Sequence, residues 1–167
     1  QIALAHACTA LGRQATIFTA KRKEMHPRTL EAKQAGAKIV MVPTGYLSNV
    51  QAKARAHAAA SGAYLFPFGF DTPAFVGALA EVARAMPMQP TEVWTVAGSG
   101  VLSRALQQAW PRATFHAVQV GTEPAAGRAR ILVAPEKFEQ DARERPPFPS
   151  CSNYDAKAWR FIRRQAS

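Results

Sequence analysis

Apolar positions along the chain follow two alternating rhythms: short runs of β-branched and aromatic residues, and longer stretches with helical spacing. In residues 1–11, Ile2, Leu4, Ala5, Cys8 and Leu11 give a broad helical face, and Gly12 is a natural C-terminal stop. Residues 15–19 read as a short buried strand. Residues 27–35 predict a second helix, with Pro27 at its start and Gly36 at its end. Lys38–Val42 predicts a second strand closed by Pro43 and Gly45, and 48–61 an Ala-rich helix capped by Ser48 or Asn49 and stopped by Gly62. Residues 63–66 read as another strand.

After a loop over 67–73, the pattern predicts a helix at 74–86, a strand at 92–96, a helix at 101–110, a strand at 114–120 and a last strand at 130–133. Beyond Pro135 it weakens. Residues 146–149 (Pro-Pro-Phe-Pro) predict a rigid extended segment, and 155–164 a short helix anchored by Trp159, Phe161 and Ile162. Short strands alternating with amphipathic helices call for an open, mostly parallel sheet with helices on both faces, a three-layer, doubly wound α/β sandwich. Residues 1–134 form this α/β domain, and 135–167 a Pro-rich C-terminal extension.

Composition is that of a globular chain: 167 residues, 48% hydrophobic and 19% charged. No apolar run approaches the roughly 20 residues of a membrane helix. Cys8 and Cys151 make no disulfide framework, and no spacing suggests a metal. A soluble protein of a reducing, cytoplasmic compartment is expected. The chain opens on Gln1 inside a helix, which reads as an incomplete frame or an excised piece.

The net charge of +10 is uneven. Residues 1–60 carry nine basic and two acidic side chains, 61–127 three and four, and 128–167 nine and five. The densest run, Lys21-Arg22-Lys23 with His26 and Arg28, reads either as a solvated basic surface or as an anion- or nucleic-acid-binding one. Few aromatics interleave with it, which favours the first. A non-enzymatic anion or nucleic-acid binder stays as the alternative function.

Ala97-Gly98-Ser99-Gly100, between a buried strand and a helix, carries the strongest chemical signal. Glycines permit a sharp turn and close ligand approach, and the amides opening a helix favour an anion. Ser99 and Ser103 would add hydroxyl donors. The turn matches neither GxxxxGK[ST] nor GxGxxG. A plain strand–helix turn and a phosphate site both remain open. A phosphoribosyltransferase-like domain is a weaker reading, because the acidic pair before a TG-type loop is missing.

His6 and His57 lie in Ala-rich helices and His116 in a strand, positions that read as structural. Cys8 reads as a small core residue. Nothing near Cys151 activates it as a thiolate. Lys21, Lys23, Lys33, Lys38 and Lys53 face solvent by pattern, and no nucleophile–base pair stands out.

The order of ATIFTAK, EAKQAGAKIVMV, QAKARAHAAASGAYLFPFG and VAGSGVLS resembles pyridoxal-phosphate-dependent enzymes of the tryptophan synthase β-like fold. This group includes cysteine synthases, threonine dehydratases and aminocyclopropanecarboxylate deaminases. The resemblance covers roughly residues 1–121, with 1–68 matching the small subdomain and 69–134 part of the large one. The tail PPFPSCSNYDAKAWRFI resembles that of poorly characterised phage and archaeal relatives, and residues 150–153 could line a pocket. By this resemblance Gly98, Ser99, Gly100, Val101 and Leu102 cradle the cofactor phosphate, amino acids are the substrates of a lyase- or deaminase-like reaction, and the assembly is a homodimer. The family's Schiff-base lysine and its Ser/Asn substrate loop precede the region matched here. No residue inherits either role, so no catalytic residue is assigned and this chain alone is expected to be inactive. A fragment, or a lineage that keeps the fold without the chemistry, accounts for this, and the first is preferred.

Overall fold

The computed structural model describes residues 1–43 and 46–165; the predicted stop at Gly45 lies outside them. The chain is mixed α/β with parallel sheets, and it divides into two compact units, Gln1–Leu65 and Phe66–Ser167. The single open sheet expected from the pattern is instead two sheets, one of two strands and one of three.

The first unit runs α1 (Ile2–Ala10), β1 (Thr16–Ala20), α2 (Pro27–Gln34), β2 (Lys38–Val42) and α3 (Leu47–Ser61). β1 and β2 pair in parallel from Thr16 opposite Lys38 to Ala20 opposite Val42, with α2 as the crossover. Small side chains let the layers approach. Ala5, Ala15, Ile17, Ala32 and Ala37 form the core, and Cys8 and Ile39 pack against it. The Thr9 hydroxyl donates to the Ala35 carbonyl at 2.8 Å, tying α1 to the end of α2. α2 is capped by His26, whose Nδ1 accepts from the Arg28 amide.

Two local expectations are corrected, one in this unit and one at its boundary with the next. Neither Ser48 nor Asn49 caps α3. The chain turns into the helix earlier, with Tyr46 at the N-cap and no side-chain cap bond, and the Asn49 amide donates to the Tyr46 carbonyl. Residues 63–66 form no strand. Their aromatic, apolar character suits a strand, but no strand pairs with them, and Tyr64, Leu65 and Phe66 are exposed.

The second unit runs α4 (Pro73–Arg84), β3 (Glu92–Ala97), α5 (Val101–Ala109), β4 (Thr114–Gln119), β5 (Arg130–Val133) and α6 (Trp159–Gln165), with 3-10 turns at Phe68–Phe70 and Asp155–Ala158. All three strands are parallel in the order β3-β4-β5. Period-two alternation divides their side chains between two faces. Val93, Ala97, Phe115 and Ala117 pack with Ala83 of α4 and with Leu106 and Ala109 of α5. Trp94, Val96, Val118, Val120 and Leu132 pack with Ala158 and with Phe161 and Ile162 of α6. Residues 155–165 therefore supply a second layer over part of this face, so that the sheet is covered on both sides as parallel sheets require. The Thr72 hydroxyl caps α4 by accepting from the Phe75 amide at 3.2 Å.

Candidate functional site

Buried β3 delivers the chain to residues 98–100, and α5 starts at Val101 with Gly100 as its N-cap. The turn thus lies at the carboxyl end of a parallel strand, where α/β sheets bind ligands. Gly100 has φ 87°, a left-handed backbone that glycine adopts without strain. A β-carbon on it would collide with the backbone of Ala125 and Ala126. This glycine is therefore required by protein packing: the 120–129 loop lies directly on it.

Ser99 is enclosed on several sides. Its carbonyl accepts from the Ala125 amide at 3.2 Å, and its hydroxyl accepts a long 3.4 Å bond from the Val101 amide. Gly69, also with positive φ, brings the 3-10 turn against its side chain, and a β-carbon at residue 69 would strike the Ser99 hydroxyl. Gly98 faces Tyr154, whose phenolic oxygen would stand 3.1 Å from a β-carbon there. Burial pushes the Tyr154 phenol above its ordinary value; a hydrogen bond from the Gly98 backbone opposes this, and Asp155 adds to it. The group is held as a neutral hydroxyl beside the turn.

The five residues expected from the sequence have different fates. Gly98, Ser99 and Gly100 come together at the strand end, and the amides of Ser99 and Gly100 form no hydrogen bond among the described residues. The Val101 side chain is buried with Val76 and Ala105, so only its backbone faces the turn's chemistry. Leu102 is half-exposed. Ser103, expected as a further donor, is corrected: its buried hydroxyl donates to the Ala126 carbonyl at 3.1 Å and accepts from Gln107 Nε2 at 3.0 Å. It belongs to a clamp in which Gln107 also bonds the Ala126 carbonyl and the Arg128 amide.

Charge at the turn is largely committed. Arg104, in the first turn of α5, pairs with Asp71. Arg128 donates to the carbonyls of Trp110, Pro111 and Ala113 beyond the end of α5, and its guanidinium lies 5.0 Å from the Phe115 ring centre. Elsewhere His6 is exposed, and His57 contacts Phe18 with ring centres 5.4 Å apart. The five lysines read as solvent-facing are exposed. Cys151 is exposed and Cys8 partly buried, both as free thiols.

Sequence reasoning passed over Lys157, which is 1% exposed. Its ammonium donates to the carbonyls of Lys137 and Phe138 at 2.8 and 3.3 Å. The only available signal was its position between Ala156 and Ala158, in a register where both neighbours are buried. Tyr154 was equally hidden, because its contact with Gly98 spans more than fifty residues. Of the segment 150–153, Ser152 donates to Asp141 and the Cys151 amide to Asp155, bonds that shape the approach to Tyr154.

Among the described residues no group of His, Cys, Asp or Glu is placed to hold a metal, and no helix is long and apolar enough to cross a membrane. No protein-family model matches the chain, and no curated protein matches its sequence.

Proposed function

We propose that this chain is the phosphate-binding part of a pyridoxal-phosphate-dependent, lyase- or deaminase-like protein of the tryptophan synthase β-like fold. One observation carries the reading: a glycine turn at the carboxyl end of β3 with the Ser99 and Gly100 amides uncommitted at the start of α5. The residues present fit a phosphate monoester. They are neutral donors at the positive end of a helix dipole, and no carboxylate lies within 97–103. The Ser99, Gly100 and Leu102 amides would hold the phosphate, Gly98 would allow close approach, and the neutral Tyr154 hydroxyl would supply one more donor. Val101 fixes the helix start through its buried side chain.

When bound, pyridoxal phosphate supplies an electron sink for amino-acid carbon acids. This chain's part is to bind and orient. Lys157 is the buried lysine among the described residues, and its ammonium is engaged by two carbonyls. We therefore assign no catalytic lysine, and amino-acid turnover and homodimer formation are proposed for the intact form alone.

Calorimetric titration with pyridoxal 5′-phosphate and with unphosphorylated pyridoxal tests the reading. Saturable binding of the phosphate ester alone, abolished by Ser99→Asp, is expected. Equal binding of the two compounds, or none of either, overturns it.

A further inference from the structure

The opposite face of the second unit's sheet carries a groove of about 230 Å³ lined by Trp94, Arg130, Leu132, Phe161, Arg164 and Gln165. Sheet register builds it: Trp94 of β3 lies opposite His116 of β4, which lies opposite Arg130 of β5. The indole is held before any ligand arrives. It stacks on the His116 ring at 4.3 Å and 14°, and its Nε1–H donates to Glu92 at 3.0 Å. Glu92 Oε1 also accepts from Gln165 at 3.4 Å and lies 2.9 Å from His116 Nε2. Arg130, at the exposed start of the edge strand, forms no ion pair among the described residues.

We propose that this groove binds a small aromatic acid, its ring against Trp94 and Phe161 and its carboxylate on the Arg130 guanidinium, with Arg164 bordering the anion. The chemistry follows from the lining. Aromatic and aliphatic walls take a planar apolar body, and a guanidinium matches a carboxylate in two parallel hydrogen bonds. Size narrows the choice. Sites for drug-sized ligands occupy roughly 300–1,000 Å³, so this groove accommodates one ring and its acid group. A fixed indole limits the ordering cost of binding. The inference is independent of the glycine turn, which lies at the other end of β3.

The test follows the Trp94 indole N–H signal by NMR, assigned with Trp94→Phe, during titration with phenylacetate and with uncharged phenylacetamide. Phenylacetate should shift the signal saturably. Phenylacetamide should bind roughly tenfold or more weakly, and Arg130→Met should weaken phenylacetate by a similar factor. Arg164→Met gives a second variant on an exposed helix position. Absence of a saturable shift, equal binding of acid and amide, or an unchanged affinity in Arg130→Met overturns the proposal. So does a single-stranded oligonucleotide that moves the same signal with steep salt dependence where phenylacetate does not.

Discussion

The phenolic oxygen of Tyr154 stands beside Gly98, 3.1 Å from where a β-carbon would lie. That contact is with the tip of a movable ring, and Gly98 lacks a positive φ. Gly98→Ala should therefore cost under about 1 kcal/mol, whereas Gly100→Ala, at φ 87° against the Ala125 backbone, should cost about 2–4 kcal/mol. Urea unfolding followed by tryptophan fluorescence reads this directly, since Trp94, Trp110 and Trp159 all belong to the second unit.

Tyr154 also sets an alkaline limit. Burial favours its neutral form in the folded state, so its contribution to stability is complete below the ordinary phenol value of 10.0 and is lost as pH rises through the higher folded value. Absorbance titration of tyrosinate should show a late-ionising component that Tyr154→Phe removes. Stability of that variant should fall less steeply above pH 10 than that of the parent.

Replacing Lys157 with Met removes the donors for the Lys137 and Phe138 carbonyls while keeping most of the stem. A charged hydrogen-bond network lost from a buried position should cost about 2–3 kcal/mol. Thermal unfolding should register this as a fall of several degrees, with pyridoxal-phosphate binding to the folded fraction unchanged.

Arg128 and Arg130 differ by two residues and should differ sharply in effect. Arg128→Met strips donors from three carbonyls at the end of α5 and should destabilise by about 1–3 kcal/mol. Arg130→Met, at an exposed strand start, should stay within about 0.5 kcal/mol. Chemical denaturation of the pair, side by side, separates a structural arginine from one available to a ligand.

Much of the fold was legible because the strands of the second unit are short, mostly apolar runs bounded by turn residues, as in Val93-Trp94-Thr95-Val96-Ala97, and α4 and α5 carry a helical period of their own on either side of β3. Division into two sheets was not legible, since local pattern does not state which distant strand pairs with which. Residues 63–66 show the same limit: strand propensity in Tyr64-Leu65-Phe66 means little without a neighbour to receive its hydrogen bonds. The glycine turn was visible in outline. Its surroundings were not, because Gly69, Ala125 and Tyr154 reach residues 98–100 from positions 25 to 56 residues away along the chain. Ser103 illustrates the cost, a hydroxyl read as a ligand donor that instead bonds the Ala126 carbonyl.

Parallel β4 and β5 are joined by residues 120–129 without a helix of their own, and that loop is fastened onto α5 through Ser103, Gln107 and Arg128. One helix therefore serves two successive crossovers, and the pairing of β5, an edge strand, depends on the loop that this helix holds. β5 should then be the easier of the two strands to detach. In native-state hydrogen exchange, the amides of β5 should open at lower free energy than those of β4, and Gln107→Ala should widen that gap.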